Sequence, residues 1–203
     1  MLACLDLEGV LIPEIWIEFS KKTNIPELSL TTRDVPDYDV LMKRRLKLLD
    51  EHKLTLREIQ EVIGSLSPLE GAADFLNWLR TEFQVIILSD TYYEFAFPLM
   101  KQLGFPTLFC HSLELDERQK IVNYKLRLTD QKTKAVKGLQ DLNFKVIASG
   151  DSYNDTGMLK QADAGILFCP PENVIKEFPQ FPVARNYEEM KHLFLEKKRD
   201  LAV

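Results

Sequence analysis

Two acidic clusters, a hydroxyl and a lysine carry the chemistry legible in this chain. Asp6 and Glu8 stand two apart in DLEGV, directly after an apolar run. Residues two apart on a strand point to the same face, so their carboxylates crowd together. Such a pair repels unless a cation or a shared proton relieves it. Hard oxygen donors at a strand end suit Mg²⁺. A second cluster, Asp151, Asn154 and Asp155 in GDSYND, follows the apolar run VIA. It offers metal ligands together with the hydrogen bonds that orient them, while Asp155 also fits a helix cap. Ser89-Asp90-Thr91 follows a third apolar run. A hydroxyl and free backbone N–H groups where a helix starts make a phosphate cradle, although an ordinary capping turn has the same composition. Lys132 in DQKTK, just ahead of a predicted helix, can neutralise a phosphoryl group as a point charge; Lys134 is its competitor.

These residues need elements to position them. Short apolar runs at 2–7, 85–88, 107–110, 145–148 and 164–168, bounded by Gly, Pro, Asp or Ser, read as strands. Helical patterns at 71–80, 94–103, 133–142 and 155–162 alternate with them, and Gly104 suits a C-cap. The alternation predicts a doubly wound α/β fold with a parallel sheet. Ligands bind such sheets beyond the carboxyl ends of the strands, where all four clusters fall. Roughly eighty residues separate the first two strands, with helices expected at 14–23, 38–51 and 55–65 and a loop over 27–36. The predicted division is therefore an α/β core of 1–12 and 69–203 with a small helical cap of 13–68. In the helix at 38–51, Val40, Leu41, Leu48 and Leu49 are expected on the packed face, with Lys43, Arg44 and Lys47 towards solvent. Residues 111–128 read as a β-hairpin turning at 116–120, 188–198 as a charged outer helix, and the aromatic stripe at 92–97 as core.

Composition excludes several classes. With 26 basic and 31 acidic residues, the net charge of −5 makes no electrostatic case for nucleic acid. A hydrophobic share of 45% excludes a disordered chain. No apolar run is long enough to span a membrane, and an acid at position 6 comes too soon for a signal peptide, so a cytoplasmic protein is expected. Cys4, Cys110 and Cys169 form neither a disulfide framework nor a zinc pattern and read as buried, inert thiols. His52, His111 and His192 read as surface or packing residues. No GxxxxGK[ST] loop is present, so ATP is not expected as a phosphoryl donor.

The order acid pair, hydroxyl, lysine, acid pair resembles the haloacid dehalogenase superfamily of phosphohydrolases, through DLEGV, the Ser of LSDT, the Lys of QKTK, and GDSYND. Within it the chain resembles phosphoserine phosphatases, and more closely the bifunctional phosphoserine phosphatase/homoserine phosphotransferases. That likeness runs through DLEGV, PDYDVLMK, DEH, ILSDT, GDSYND, PENVI and EFPQFP. Glu8 departs from the Asp commoner in the superfamily, and the bifunctional group shares it. The resemblance implies an Mg²⁺-dependent phosphoserine phosphatase that forms an aspartyl phosphate on Asp6, with transfer to homoserine as a further activity. It implies that Glu8 protonates the leaving alkoxide and then deprotonates the acceptor. Mg²⁺ would be held by Asp6, the Glu8 carbonyl and Asp151. Phosphoryl oxygens would meet Ser89, the Asp90 N–H and Lys132, while Asn154 and Asp155 orient water, metal and Lys132. In the cap, Glu14 would bind the substrate amine and Arg45 its carboxylate, with Arg44 as the rival of Arg45 and Tyr38 and Met42 lining the pocket. Acceptor preference and the choice between monomer and homodimer stay open. Two other readings compete: a phosphatase for a different small phosphomonoester, and a receiver-type phospho-Asp signalling domain. Glu14 and Arg45 bear on the first, since a zwitterion needs both charges. The long insertion and Glu8 argue against the second.

Overall fold

The computed structural model describes residues 1–31, 34–35 and 37–202. Its strands are β1 (Leu2–Leu5), β2 (Gln84–Tyr92), β3 (Thr107–Leu115), β4 (Ile121–Lys125), β5 (Val146–Gly150), β6 (Ala164–Phe168) and β7 (Val183–Ala184). They form one seven-stranded sheet in the order β4-β3-β2-β1-β5-β6-β7, parallel except for the β3–β4 pair. The chain leaves the central β1 outward through β2 and β3 on one side and through β5, β6 and β7 on the other. Strand order therefore reverses beside β1, which opens a crevice at its carboxyl end.

The helices are α1 (Ile15–Thr23), α2 (Tyr38–Glu51), α3 (Leu56–Gly64), α4 (Ala72–Glu82), α5 (Tyr93–Gln102), α6 (Gln131–Asp141), α7 (Thr156–Gln161), α8 (Glu172–Glu177) and α9 (Tyr187–Asp200). Alternation along the strands builds two apolar layers. Ala3, Leu5, Ile147 and Ile166 join one cluster with α4, α5 and α9, whereas Leu2, Cys4, Val146, Ala148 and Leu167 join the other with α6, α7 and α8. Period-two side-chain direction sends neighbours to opposite faces, and burial on both faces explains why β1 and β5 read as unbroken apolar runs.

The segment after β1 folds into α1, a short 3-10 turn at Pro26–Ser29, α2 and α3. The Asp37 side chain caps α2, and a Thr55–Glu58 capping box starts α3. This helical trio rests on the β3–β4 hairpin through Lys120–Asp50 (2.7 Å), Leu56 N–H to Gln119 O (3.0 Å) and Tyr124 O–H to Asp39 Oδ1 (2.7 Å). The loop expected over 27–36 includes Thr32, Arg33 and Pro36, which lie outside the described residues, as does the first residue of PDYDVLMK. Among the described residues, no helix is long and apolar enough to cross a membrane.

Several expectations need correction. In α2 the buried residues are Leu41, Met42, Arg45 and Leu49, while Val40 is 53% exposed. The packed stripe is thus rotated, because Arg45 takes a buried place that apolar patterning assigns to solvent. The runs 107–110 and 111–128 are not separate elements: β3 runs from Thr107 straight into the hairpin, with β4 pairing antiparallel beyond the parallel part. Cys4 and Cys110 are buried, but Cys169 is exposed at the end of β6. Short α8 and the two-residue β7 carry too few residues for a periodic signal.

Candidate active site

Asp6 follows the last residue of β1, and its N–H extends the ladder to the Ser149 carbonyl (2.9 Å). The chain then turns back tightly: Leu11 N–H and Ile12 N–H both reach the Leu7 carbonyl (2.8 and 3.1 Å). Leu7, Val10, Leu11 and Ile12 are fully buried, so this turn is anchored like a core element and leaves Asp6 only 4% exposed. Gly9 is required at its apex. Its φ is +76°, and a Cβ there would stand 2.5 Å from Asp151 Cγ. The bare backbone lets the β1 turn and the β5 loop close on one another, which brings Asp6 and Asp151 together.

One carboxylate oxygen from each of Asp6, Asp151 and Asp155 lies within 4.8 Å of the others. Asp155 is fully buried at the third position of a capping box. Its Oδ2 accepts from the N–H groups of Asp151 (3.0 Å) and Ser152 (3.1 Å), which fixes the loop after β5. Gly150 is needed beside it, since a Cβ there would collide with the Asp155 side chain. Lys132 answers this negative charge from the first turn of α6. Only 3% exposed, it lies 2.7 Å from Asp155 Oδ1, 2.8 Å from Asp6 Oδ1 and 3.6 Å from Asp90 Oδ2. The helix starts at Gln131, so Lys132 is within it, not ahead of it. The rival lysine is exposed and bonds Thr129 Oγ1 instead.

Burial and the Asp155 carboxylate push the Asp6 carboxyl well above the usual carboxylate range, against the pull of Lys132. Asp151 rises to about 7 for the same two reasons. Lys132 is held above its ordinary value because its three acidic neighbours outweigh its burial. Three converging acids with one ammonium form a donor set that fits a hard divalent cation. Asp6 and Asp151 have oxygens to offer such an ion, whereas Asp155 is committed to Lys132 and the loop N–H groups.

Glu8 is not one of the three clustered acids. Its Oε2 accepts the Ile15 N–H at 2.9 Å, at the start of the helical insertion. Burial, then the Glu14 carboxyl beside it, raise the Glu8 pKa to about 8. A carboxyl protonated near neutrality can hand its proton to a leaving alkoxide.

The Ser89-Asp90-Thr91 segment is not at a helix start, as the sequence suggests. It is the distal part of β2, whose pairing with β1 ends at Ile87 and whose pairing with β3 breaks between Leu88 and Tyr92. The cradle is a strand end bulging out of its ladder. Ser89 is 2% exposed, and its Oγ accepts the Thr91 N–H at 3.3 Å. Asn154 is exposed and reaches Asp90 Oδ2 at 3.4 Å, tying the loop after β5 to this segment. Although Asp90 is desolvated, Lys132, His111, Gln131 and Asn154 hold its carboxyl below the usual range.

Residues of the insertion contact the site region. Arg45 is 6% exposed, whereas Arg44 is exposed. The Arg45 guanidinium lies 4.3 Å over the Trp16 ring and donates through Nη2 to the Leu30 carbonyl (2.7 Å). Its Nη1 stands 3.7 Å from Met42 Sδ, and its buried Nε has no partner. Glu8 and Glu14 are among the groups whose charge acts on it, so acidic groups and this cation lie near one another. Tyr38 O–H pairs with Tyr92 O–H across 2.7 Å, joining α2 to β2.

Sequence reasoning missed four residues here. Tyr92 is 1% exposed, as a core aromatic should be, yet its hydroxyl reaches the insertion. Trp16 supports Arg45. His111 is 4% exposed with its Nε2 3.7 Å from Asp90 Oδ1, and Gln131 is 4% exposed beside Ser89. For Gln131 the only signal was adjacency to Lys132, and for His111 there was none.

A family model for haloacid dehalogenase-like hydrolases matches residues 2–163. The phosphoserine phosphatase ThrH of Pseudomonas aeruginosa is 63% identical over 96% of this chain and 95% of its own length. Among solved structures, an apo phosphoserine phosphatase aligns over 94% of this chain and 97% of its own, with TM-score 0.76 at 19% identity. A phospho-aspartyl intermediate analogue of phosphoserine phosphatase aligns over 95% and 97%, with TM-score 0.73 at 18% identity.

Proposed function

The chain belongs to the haloacid dehalogenase-like hydrolase family, and on that premise we propose that it is a phosphoserine phosphatase working through an aspartyl phosphate on Asp6. The observation that carries the reading is the pairing of a buried acid–lysine centre with the buried Arg45, whose Nε has no partner, above it. Arg45 is suited to a carboxylate, because its planar fork matches one, and the exposed Glu14 is suited to an amine. The relative from Pseudomonas aeruginosa bears the name of this activity, and the analogue structure concerns a phospho-aspartyl state.

In this reading Asp6 attacks phosphorus while Lys132, Ser89 and the Asp90 N–H hold the phosphoryl oxygens. Glu8 gives its proton to the departing serine alkoxide and then takes one from the acceptor hydroxyl. Asp6, the Glu8 carbonyl and Asp151 would hold Mg²⁺, which would offset the repulsion between carboxylate and phosphate. The turn anchored by Leu7 and Leu11 keeps the attacking oxygen in place, and the insertion excludes bulk water.

The test is phosphate release from a panel of small phosphomonoesters, with Mg²⁺ and after chelation. Phosphoserine with Mg²⁺ is expected to turn over fastest, and chelation to stop it. In Arg45→Ala, loss of a buried charge partner worth about 2–5 kcal/mol should lower kcat/KM for phosphoserine by roughly 30-fold or more. A phosphomonoester without a carboxylate should change by under about threefold. Equal losses on both substrates would make Arg45 structural and remove the main support for phosphoserine.

We also propose transfer to homoserine, as the resemblance to the bifunctional group implies. An aspartyl phosphate accepts any hydroxyl held near Glu8, and positioned groups reach effective molarities on the order of 10⁵ M, enough to outcompete water. Homoserine has the amine and carboxylate of serine and one more methylene, so it can reuse Glu14 and Arg45. Phosphoserine with homoserine should then give O-phosphohomoserine, serine and some phosphate by ³¹P NMR. Inorganic phosphate alone at saturating homoserine would leave a plain phosphatase. Small-molecule chemistry of this kind agrees with a cytoplasmic location.

A further inference from the structure

Gln131 does a job that neither its position nor its neighbours announce. It is 4% exposed, and its side-chain Nε2 donates to the Ser89 carbonyl and lies 3.3 Å from Asp90 Oδ1. Its Oε1 is buried with no hydrogen-bond partner. An amide that leaves its carbonyl orphaned is a poor choice for stability alone, because an unpaired buried acceptor loses its water without gaining a partner. What retains it is the donor side.

The Ser89 carbonyl and the Asp90 N–H belong to one peptide group. The chain has no cis peptide bonds among the described residues, so the two point in opposite directions across that plane. A donor fixed on the carbonyl therefore fixes the direction of the N–H. Such fixing is needed here, because β2 has left its ladder between Leu88 and Tyr92 and no regular pairing orients the peptide.

A second residue supports the arrangement. His111 Nδ1 accepts the Arg127 N–H at 3.1 Å, so a neutral imidazole carries its proton on Nε2. That nitrogen stands 3.7 Å from Asp90 Oδ1 and 3.4 Å from Gln131 Nε2. Donors from β3 and α6 thus converge on one oxygen of Asp90, while Asn154 and Lys132 take the other.

We infer that Gln131 is a positioning residue: it clamps the Ser89–Asp90 peptide so that the Asp90 N–H is held towards the phosphoryl group on Asp6, with His111 bracing the Asp90 side chain. One helix start then supplies both the charge, from Lys132, and the alignment of a neutral donor, from Gln131. The inference rests on the phosphotransfer reading above.

The experiment compares wild type with Gln131→Met, which keeps the volume and removes both polar groups, and with Gln131→Asn, which keeps the amide but shortens its reach. Steady-state kinetics on phosphoserine, inhibition by orthovanadate and thermal melting are measured on each. A donor aligned for the transition state is lost as kcat, so kcat should fall about 10- to 100-fold with KM within about threefold. Vanadate, as a transition-state mimic, should weaken by a similar factor. Melting temperatures should hold near wild type. Variants with wild-type kcat and vanadate affinity would overturn the role of Gln131 while leaving the phosphatase reading intact. Loss of the folded state in both variants would make the residue structural and overturn it too. A wild-type protein that neither hydrolyses phosphomonoesters nor binds vanadate would instead remove the phosphotransfer reading and this inference with it.

Discussion

Asp6→Asn is expected to lower turnover of phosphoserine by at least about 10⁴-fold, the scale on which loss of a covalent nucleophile is felt. The amide is nearly isosteric but cannot attack phosphorus. Fold retention is expected, because the turn that holds residue 6 depends on Leu7, Val10, Leu11 and Ile12, all fully buried, and not on the carboxylate. One Asp6 oxygen accepts the Leu7 N–H at 2.8 Å, and the carbonyl oxygen of Asn can do the same. The substitution also removes one negative charge from a cluster that burial and mutual repulsion already penalise. Stability without metal should therefore hold or rise while activity disappears. Phosphate release and chemical denaturation on the same preparation check both halves. A folded Asp6→Asn protein with near-normal turnover would rule out Asp6 as nucleophile.

Lys132→Met should produce the largest loss of stability of any substitution in the site. The ammonium is 3% exposed between Asp6 and Asp155. Removing one member of a buried ion pair leaves the others uncompensated, at a cost of about 3–5 kcal/mol. The loss should depend on pH. Asp6 already titrates above its unfolded value of 3.8, and losing Lys132 moves it further in that direction. A carboxyl whose folded pKa is raised binds more protons folded than unfolded between the two values, so stability falls as pH rises through that window. The deficit against wild type should thus grow as pH rises through the range where Asp6 is ionised beside Lys132 in wild type but still protonated in the variant. Urea denaturation across a pH series measures it. A deficit independent of pH would mean that Lys132 acts by packing alone. Activity should fall as well, because no other cation among the described residues is within ion-pair distance of Asp6.

How much of this was readable beforehand follows from which residues carry local patterns. The parallel α/β sheet was legible because β1, β5 and β6 are buried on both faces and so read as bare apolar runs, the first two ending at Asp, Ser or Gly and the third at Cys169-Pro170. Asp6, Ser89, Lys132 and Asp151 were legible as candidates because a doubly wound sheet gathers whatever follows its strands at one edge. Tertiary structure decided the rest, for reasons no local window contains. Arg45 was separated from Arg44 only by burial against Trp16 and Leu30, which lie far away in sequence. Lys132 was separated from Lys134 by about half a helical turn of direction, once α6 was seen to start at Gln131. Gln131, His111 and Tyr92 acquire their roles through partners about 20 to 54 residues distant. Periodicity reports which side of an element faces the core, but a hydrogen bond between two elements depends on how they pack, and that is a property of the folded chain.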